Sequence, residues 1–290
     1  MAGRWLPLGR RAAAALGGGA KDATMKACGG AWIEGMPTAG MASEASCAHS
    51  PGDADGATGR VYRNVGVERA EGKGGYAVLL DGRALKTPAG HQFVLPTYRL
   101  ALAIAAEWEW QKGRSIWPIT MPIHSLAATS IDMPKPRIRV IEDMLHFIHT
   151  DAVCCRVDPG ELADKQAEMY NPLVSWVVDR FGVQLELSDT IFGAQQSEST
   201  VDVFHQYLQG LDAWHLTAAD AMASSCKSLI IGLALLNDRV SLLEAIEISR
   251  LEEEFQIGAW GLVEGGHDLD IAETKVRLSS TKAFVRLLKS

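Results

Sequence analysis

The hydrophobic period of the chain changes once, between Leu95 and Thr97, and that change constrains the fold more than any other feature. Before it, Val61 to Val67 alternates partly and Tyr76 to Leu80 is a short apolar run, both of strand type. Glu71 to Gly75 holds three glycines, the mark of a hairpin turn, and Asp81-Gly82 is a two-residue turn signal because both central positions need φ > 0. Ala84 to Thr87 runs extended into Pro88, Ala89-Gly90 turns again, and Gln92 to Leu95 is a further strand. After the change, spacings of three and four take over. Thr97 caps a helix in which Leu100, Ile104 and Trp108 share one face, which assigns Trp108 to the core. That helix is expected to reach about Lys112.

The remaining elements read as helices with two short extended pieces. A helix is expected over Ile123 to Thr129, and Ile138, Ile141, Leu145 and Ile148 mark the next. Ala152 to Val157 and Val183 to Leu187 read as extended. Asn171-Pro172 reads as an N-cap followed by proline at the first helical position. Helices are expected over 199–210, 216–236, 240–257 and 269–288. Strands first and helices afterwards define an α+β chain: an N-terminal antiparallel β-rich domain over 61–133, then a larger α-helical domain over 134–290.

Residues 1–60 stand apart from this pattern. From Met1 to Lys21 there are four basic residues and no acidic one, the composition of an organelle transit peptide. From Gly17 to Gly59 the chain is rich in Gly, Ala and Ser without apolar periodicity, so it is expected to stay outside the fold.

Charge and composition exclude several function classes. The net charge of −7 is concentrated after residue 60, where 22 Lys/Arg face 30 Asp/Glu, a poor match to a polyanion, so nucleic acid is not expected as a partner. The longest apolar run, Leu229 to Leu236, is far short of the roughly 20 residues a bilayer span requires, and no membrane insertion is expected. Five cysteines without paired CxxC spacing argue against a disulfide framework or a zinc knuckle. No GxxxxGK[ST] or strand–GxGxxG–helix signature is present, so no nucleotide cofactor is expected.

Three clusters carry candidate chemistry. His146 and His149, three apart near Asp151, lack a third and fourth ligand, so no metal is expected. In the vicinal pair Cys154-Cys155, alternation puts one thiol inside and one outside. The tract from Ser249 to Gly261 is the least ordinary. Within an expected helix over 240–257, Glu252, Glu253 and Glu254 set negative charge near a C-terminus, where the macrodipole opposes it. Arg250 offsets that charge locally at i,i+3 and i,i+4. Glu264, His267 and Asp268 form a second polar cluster, and paired carboxylates in such a group can do acid–base work.

The residues Val61-Tyr62-Arg63-Asn64-Val65, Leu80 to Pro88, Glu107-Trp108, Asp151 to Arg156 and Ser249 to Gly261, with Glu264 and His267-Asp268, resemble one known family. It is the family of mitochondrial F-type ATP synthase assembly chaperones that handle the α subunit (F(1) complex assembly factor 2). Cys155 departs from the pattern, which has an aromatic residue there. The resemblance covers about residues 61–290. It implies a matrix protein with no catalysis, which binds free α subunit and shields the surface that later meets the β subunit. A monomer is expected. Client contacts are then expected at Glu252, Glu253, Glu254, Trp260, Glu264, His267 and Asp268, with Glu252 first. The alternative reading is a soluble organellar hydrolase that uses the Glu264, His267 and Asp268 cluster.

Overall fold

The computed structural model describes residues 58–72, 74–111, 115–190 and 192–289, so the expected transit peptide lies outside the described residues. The β-rich part is a hairpin with additions. Strands β2 (Val65–Arg69) and β3 (Tyr76–Leu80) pair antiparallel, with Val67 opposite Val78. At the turn that follows β3, Asp81 and Gly82 have φ of 47° and 77°, the double left-handed geometry expected of Asp-Gly. The second edge of β3 carries β4 (Arg83–Ala84) at one end and β5 (Val94–Leu95) at the other. A separate two-stranded ribbon joins β1 (Thr58–Gly59) to β6 (Ser115–Ile116).

Helix α1 (Tyr98–Glu109) packs on this sheet. Thr97 Oγ1 accepts the Leu100 amide at 3.2 Å, the expected cap, and also donates to the carbonyl of Leu287, 190 residues away. Leu100 and Ile104 are fully buried. Trp108 is not: it sits half-buried at the end of the same stripe. Its ring meets Tyr62 and His124 edge-on, and its Nε1 donates to His124 Nδ1 at 3.3 Å.

Two carboxylates serve as helix caps from a distance. Helix α2 (Pro122–Asp132) begins on a proline with no cap of its own. Glu107 of α1 replaces it, accepting the amides of Ile123 and His124 at 2.8 and 2.7 Å. Burial nevertheless pushes the Glu107 carboxyl up to about 7 and the His124 imidazole down to about 4. Asp151, fully buried, supports the Ser228 cap of helix α7 (Leu229–Leu236), in which Ser228 Oγ accepts the Ile231 amide at 3.0 Å. Asp151 accepts from Ser228 Oγ at 2.7 Å and from the amides of Ile230 and Val153 at 3.0 and 3.1 Å. These bonds account for two of the sequence marks, Glu107-Trp108 and Asp151.

The helical part departs from the sequence reading at five places. Helix α3 (Arg137–Leu145) runs into a 3-10 turn at His146–His149. Helix α4 (Glu161–Phe181) passes through Pro172, so Asn171-Pro172 is not a helix start. The stripe Gln166, Tyr170, Leu173 and Val177 is buried along its whole length, and that burial outweighs the roughly 3 kcal/mol of an internal proline. Asn171 Oδ1 accepts from Arg156 Nη2 instead of capping. No strand forms over 183–187 or 152–157: only a single bridge pairs Cys155 with Ser188. After α5 (Glu198–Gly210), the expected helix over 216–236 is two: α6 (Ala213–Cys226) and α7, broken at Lys227, whose φ is 52°. All of α7 is buried.

The expected helix over 240–257 is also two, α8 (Leu242–Ser249) and α9 (Leu251–Trp260), with Arg250 between them. Helix α10 (His267–Leu288) closes the chain, packing on α6, α2 and α8. One continuous core runs from Val78 to Val285.

Candidate functional site

The break at Arg250 reverses the electrostatics of the acidic tract. Glu252, Glu253 and Glu254 occupy the first turn of α9, not the last turn of a longer helix. There the macrodipole favours each carboxylate by about 0.3–1 kcal/mol. The expected cost is therefore absent, and the tract has a structural use. Arg250 is buried, at 4% exposure. Its Nη1 pairs with Glu253 at 2.8 Å and with Asp270 of α10, and its Nε with Glu254 at 3.3 Å. One guanidinium thus ties the first turn of α9 to the first turn of α10. The predicted i,i+3 and i,i+4 offsets are present, and the link to Asp270 is one that local spacing does not show.

Glu252 faces a third element. Its Oε1 accepts from Gln166 Nε2 of α4 at 2.9 Å, and Gln166 is buried. Lys165 of α4 lies over the ring of Phe255. The glutamate tract is therefore engaged with α4, Arg250 and, at 3.6 Å, Lys227.

Beyond Phe255 the chain leaves the core. Trp260 is 82% exposed, and Leu262, Val263 and Leu269 are exposed with it. Gly261 and Gly265 have φ of 89° and 75°, and these two left-handed positions fold the segment back into α10. The Val263 amide donates to His267 Nδ1 at 3.3 Å, and Asp268 Oδ1 accepts the Leu269 amide at 3.0 Å. Glu264 and Asp268 are exposed beside these apolar groups. No hydrogen bond joins Glu264, His267 and Asp268 to one another among the described residues. From Leu251 to Thr274 the chain carries seven carboxylates and no Lys or Arg.

The arrangement is an arm: a rigid base locked by Arg250 and a tip of large apolar side chains in an acidic frame. Sequence reading found Trp260 and the acids. It missed Leu262, Val263 and Leu269, although apolar residues abutting the Gly261 and Gly265-Gly266 turns are the signal, since turns of that composition are otherwise polar.

The other clusters resolve as structural groups. His149 Nδ1 accepts the Gln196 amide at 3.3 Å, and among the described residues no three His, Cys, Asp or Glu side chains form a metal-holding group. Cys154 is buried and Cys155 half-buried, set in a turn and a single bridge and not in the alternation of a strand; burial pushes both thiols up, and it raises the Cys226 thiol to about 12.

An exposed cluster of large apolar side chains marks a surface that contacts another molecule, and similarity to known proteins places the chain among chaperones. The family model described as ATP12 chaperone protein matches residues 59–178, a span that ends before the arm. The crystal structure of Atp12 from Paracoccus denitrificans has a TM-score of 0.73 at 31% identity, over 80% of this chain and 99% of that one. The mitochondrial atp12 protein of Schizosaccharomyces pombe is 28% identical over 243 residues, 79% of this chain and 83% of its own. Protein ATP12 of Saccharomyces cerevisiae, also mitochondrial, is 26% identical over 271 residues, 78% and 83%. The chain belongs to the ATP12 chaperone family.

Proposed function

We propose that the protein is an assembly chaperone of the mitochondrial F-type ATP synthase, acting in the matrix as a monomer and without catalysis. Its client is the free α subunit, whose β-facing surface it shields until the hexamer assembles. The family, the mitochondrial relatives and the sequence marks support this reading. The observation that carries it is the tip, where Trp260, Leu262, Val263 and Leu269 stand in water beside Glu264 and Asp268. An unassembled subunit of an obligate oligomer exposes an apolar interface that aggregates unless covered. A rigid tryptophan supplies an anchor, and a polar rim supplies orientation and on-rate while permitting exchange.

The seven candidate residues divide by what they touch. Trp260, Glu264, His267 and Asp268 face the client. Glu252, Glu253 and Glu254 hold the arm and add to its negative field. The test is co-expression of the α subunit with Trp260→Ala, Glu264→Lys and Asp268→Lys variants. Each is expected to melt like wild type, since exposed substitutions change stability by about 0.5 kcal/mol or less. At least Trp260→Ala is expected to leave the α subunit insoluble. Full protection by all three variants overturns the assignment of the tip.

A further inference from the structure

The turn between α2 and α3, entered through the left-handed Met133 (φ 43°), bounds a small cavity of about 140 Å3 against helix α6. Met133, Pro134, Val140 and Leu216 give it apolar walls. Asp220 stands one helical turn beyond Leu216 on α6 and adds a carboxylate to the lining. That side chain is half-buried and makes no hydrogen bond or ion pair among the described residues. Burial outweighs its charged neighbours and raises the carboxyl above the usual carboxylate range. Those neighbours act in opposite senses, Lys135 lowering Asp220 and Asp143 raising it. Lys135 also lines the cavity, but its side chain is exposed and its Nζ lies 2.8 Å from Asp143 Oδ2. Two hydroxyls complete the lining. Thr217 Oγ1 donates to the Ala213 carbonyl at 2.9 Å and keeps its lone pairs, and the Thr129 hydroxyl makes no side-chain hydrogen bond among the described residues.

A carboxylate withdrawn from water is ordinarily paired. We propose that this cavity takes the ammonium of a lysine side chain from the client. The proposal rests on the chaperone reading above and adds a second contact, on α6 and not on the arm. A cavity of this size admits one side chain and no larger element. Its apolar walls match the methylene stem of a lysine, and the oxygens of Asp220, Thr217 and Thr129 match the three donors of its ammonium. The charge sets the specificity. An acidic side chain meets repulsion from Asp220, and an apolar one leaves the desolvated carboxylate unpaired. The free chaperone carries the cost of that carboxylate, and binding relieves it.

The experiment uses the full chain and purified α subunit. Asp220→Asn keeps the shape of the side chain and removes its charge. Its affinity for the α subunit is expected to fall at least about tenfold. Its melting temperature is expected to match or exceed wild type, because the charge it loses has no partner in the free protein. The wild-type complex is also treated with a water-soluble carbodiimide, which condenses a carboxylate with an amine in contact with it. Mass spectrometry is expected to find Asp220 joined to a lysine of the α subunit, and no such product in Asp220→Asn. Wild-type affinity in Asp220→Asn, with binding lost in Trp260→Ala, overturns the cavity and leaves the chaperone reading standing. Wild-type affinity in both overturns the two together. A lowered melting temperature in Asp220→Asn with affinity unchanged makes Lys135 the partner of Asp220 and overturns the client lysine. A cross-link from Asp220 to Lys135 alone overturns it as well.

Discussion

Gln166 donates its side-chain amide to Glu252 at 2.9 Å, across 86 residues of chain and from a position that is almost completely buried. The first glutamate of the acidic tract is therefore a packing partner of α4. Glu252→Lys leaves the buried Gln166 donor without an acceptor and sets an ammonium against it. The expected loss is about 1–3 kcal/mol. Glu252→Gln keeps an acceptor oxygen and is expected to melt near wild type. Thermal melts of the two variants decide the matter: if Glu252→Lys melts like wild type, the bond carries no stability.

Trp108 occupies the end of the α1 stripe, where its indole holds His124 and its ring packs on Tyr62. Replacing a large aromatic in such a site costs roughly 3–5 kcal/mol when the packing is lost. Half-burial puts Trp108→Arg below that range, at about 2–3 kcal/mol. Trp108→Phe keeps most of the ring contacts and loses one hydrogen bond, an expected 0.5–1.5 kcal/mol, about. Urea unfolding of both variants checks the order. A Trp108→Arg protein that unfolds at the wild-type midpoint but fails to hold the α subunit makes this residue a client contact.

The fold class was legible because the change of period at Thr97 is a local signal, and because Asp81-Gly82 and Thr97 adopt the conformations their chemistry demands. What was not legible depends on contacts distant in sequence. The helical period runs unbroken through Arg250, with Ala245, Ile248, Leu251 and Phe255 at spacings of three and four. The segment holds no proline, and its only glycine, Gly258, comes after the break. The break coincides with a guanidinium that reaches Asp270, twenty residues on. Read without that contact, the glutamates fall at the wrong end of a helix. Pro172 fails in the opposite sense: its local chemistry is that of a helix start, and a buried stripe on both sides of it prevails.

The buried carboxyl of Asp151 gives stability a pH dependence of known sign. Burial, opposed by its hydrogen bonds, raises the carboxyl from 3.8 to about 6 in the folded protein. Between those values the folded state binds more protons than the unfolded state, so this group's contribution falls as pH rises from about 4 to about 6 and is level above that. Asp151→Asn removes the titration. The stability difference between wild type and Asp151→Asn is expected to move against wild type over that window by about 1–3 kcal/mol. Glu107, raised to about 7, gives the same sign over a higher window and serves as an internal comparison through Glu107→Gln. Parallel pH profiles for wild type and Asp151→Asn would show that the folded state ionises Asp151 as readily as the unfolded chain does.

Two glycines in helices make opposite predictions. Gly232 lies in α7 where that helix crosses α6, and a Cβ there stands 2.7 Å from the Ala223 nitrogen and 2.8 Å from its Cα. Both obstacles are backbone, so the two helices must separate to admit a methyl group. Overpacking of this kind costs about 1–3 kcal/mol, against roughly 1 kcal/mol gained by replacing glycine with alanine in a helix. Gly232→Ala is therefore expected to lower the melting temperature by several degrees, since about 1 kcal/mol moves a domain of this size by roughly 2–4 °C. Gly258 lies in α9 with open space around its Cβ position. Gly258→Ala has only the helix gain to express and is expected to raise the melting temperature by a few degrees. It also stiffens the segment that carries Trp260, so client binding is expected to hold or improve. Melting curves of the two variants side by side test the packing directly. A stabilised Gly232→Ala would mean that α6 and α7 have room to part, and a destabilised Gly258→Ala would mean that the arm needs its glycine flexible.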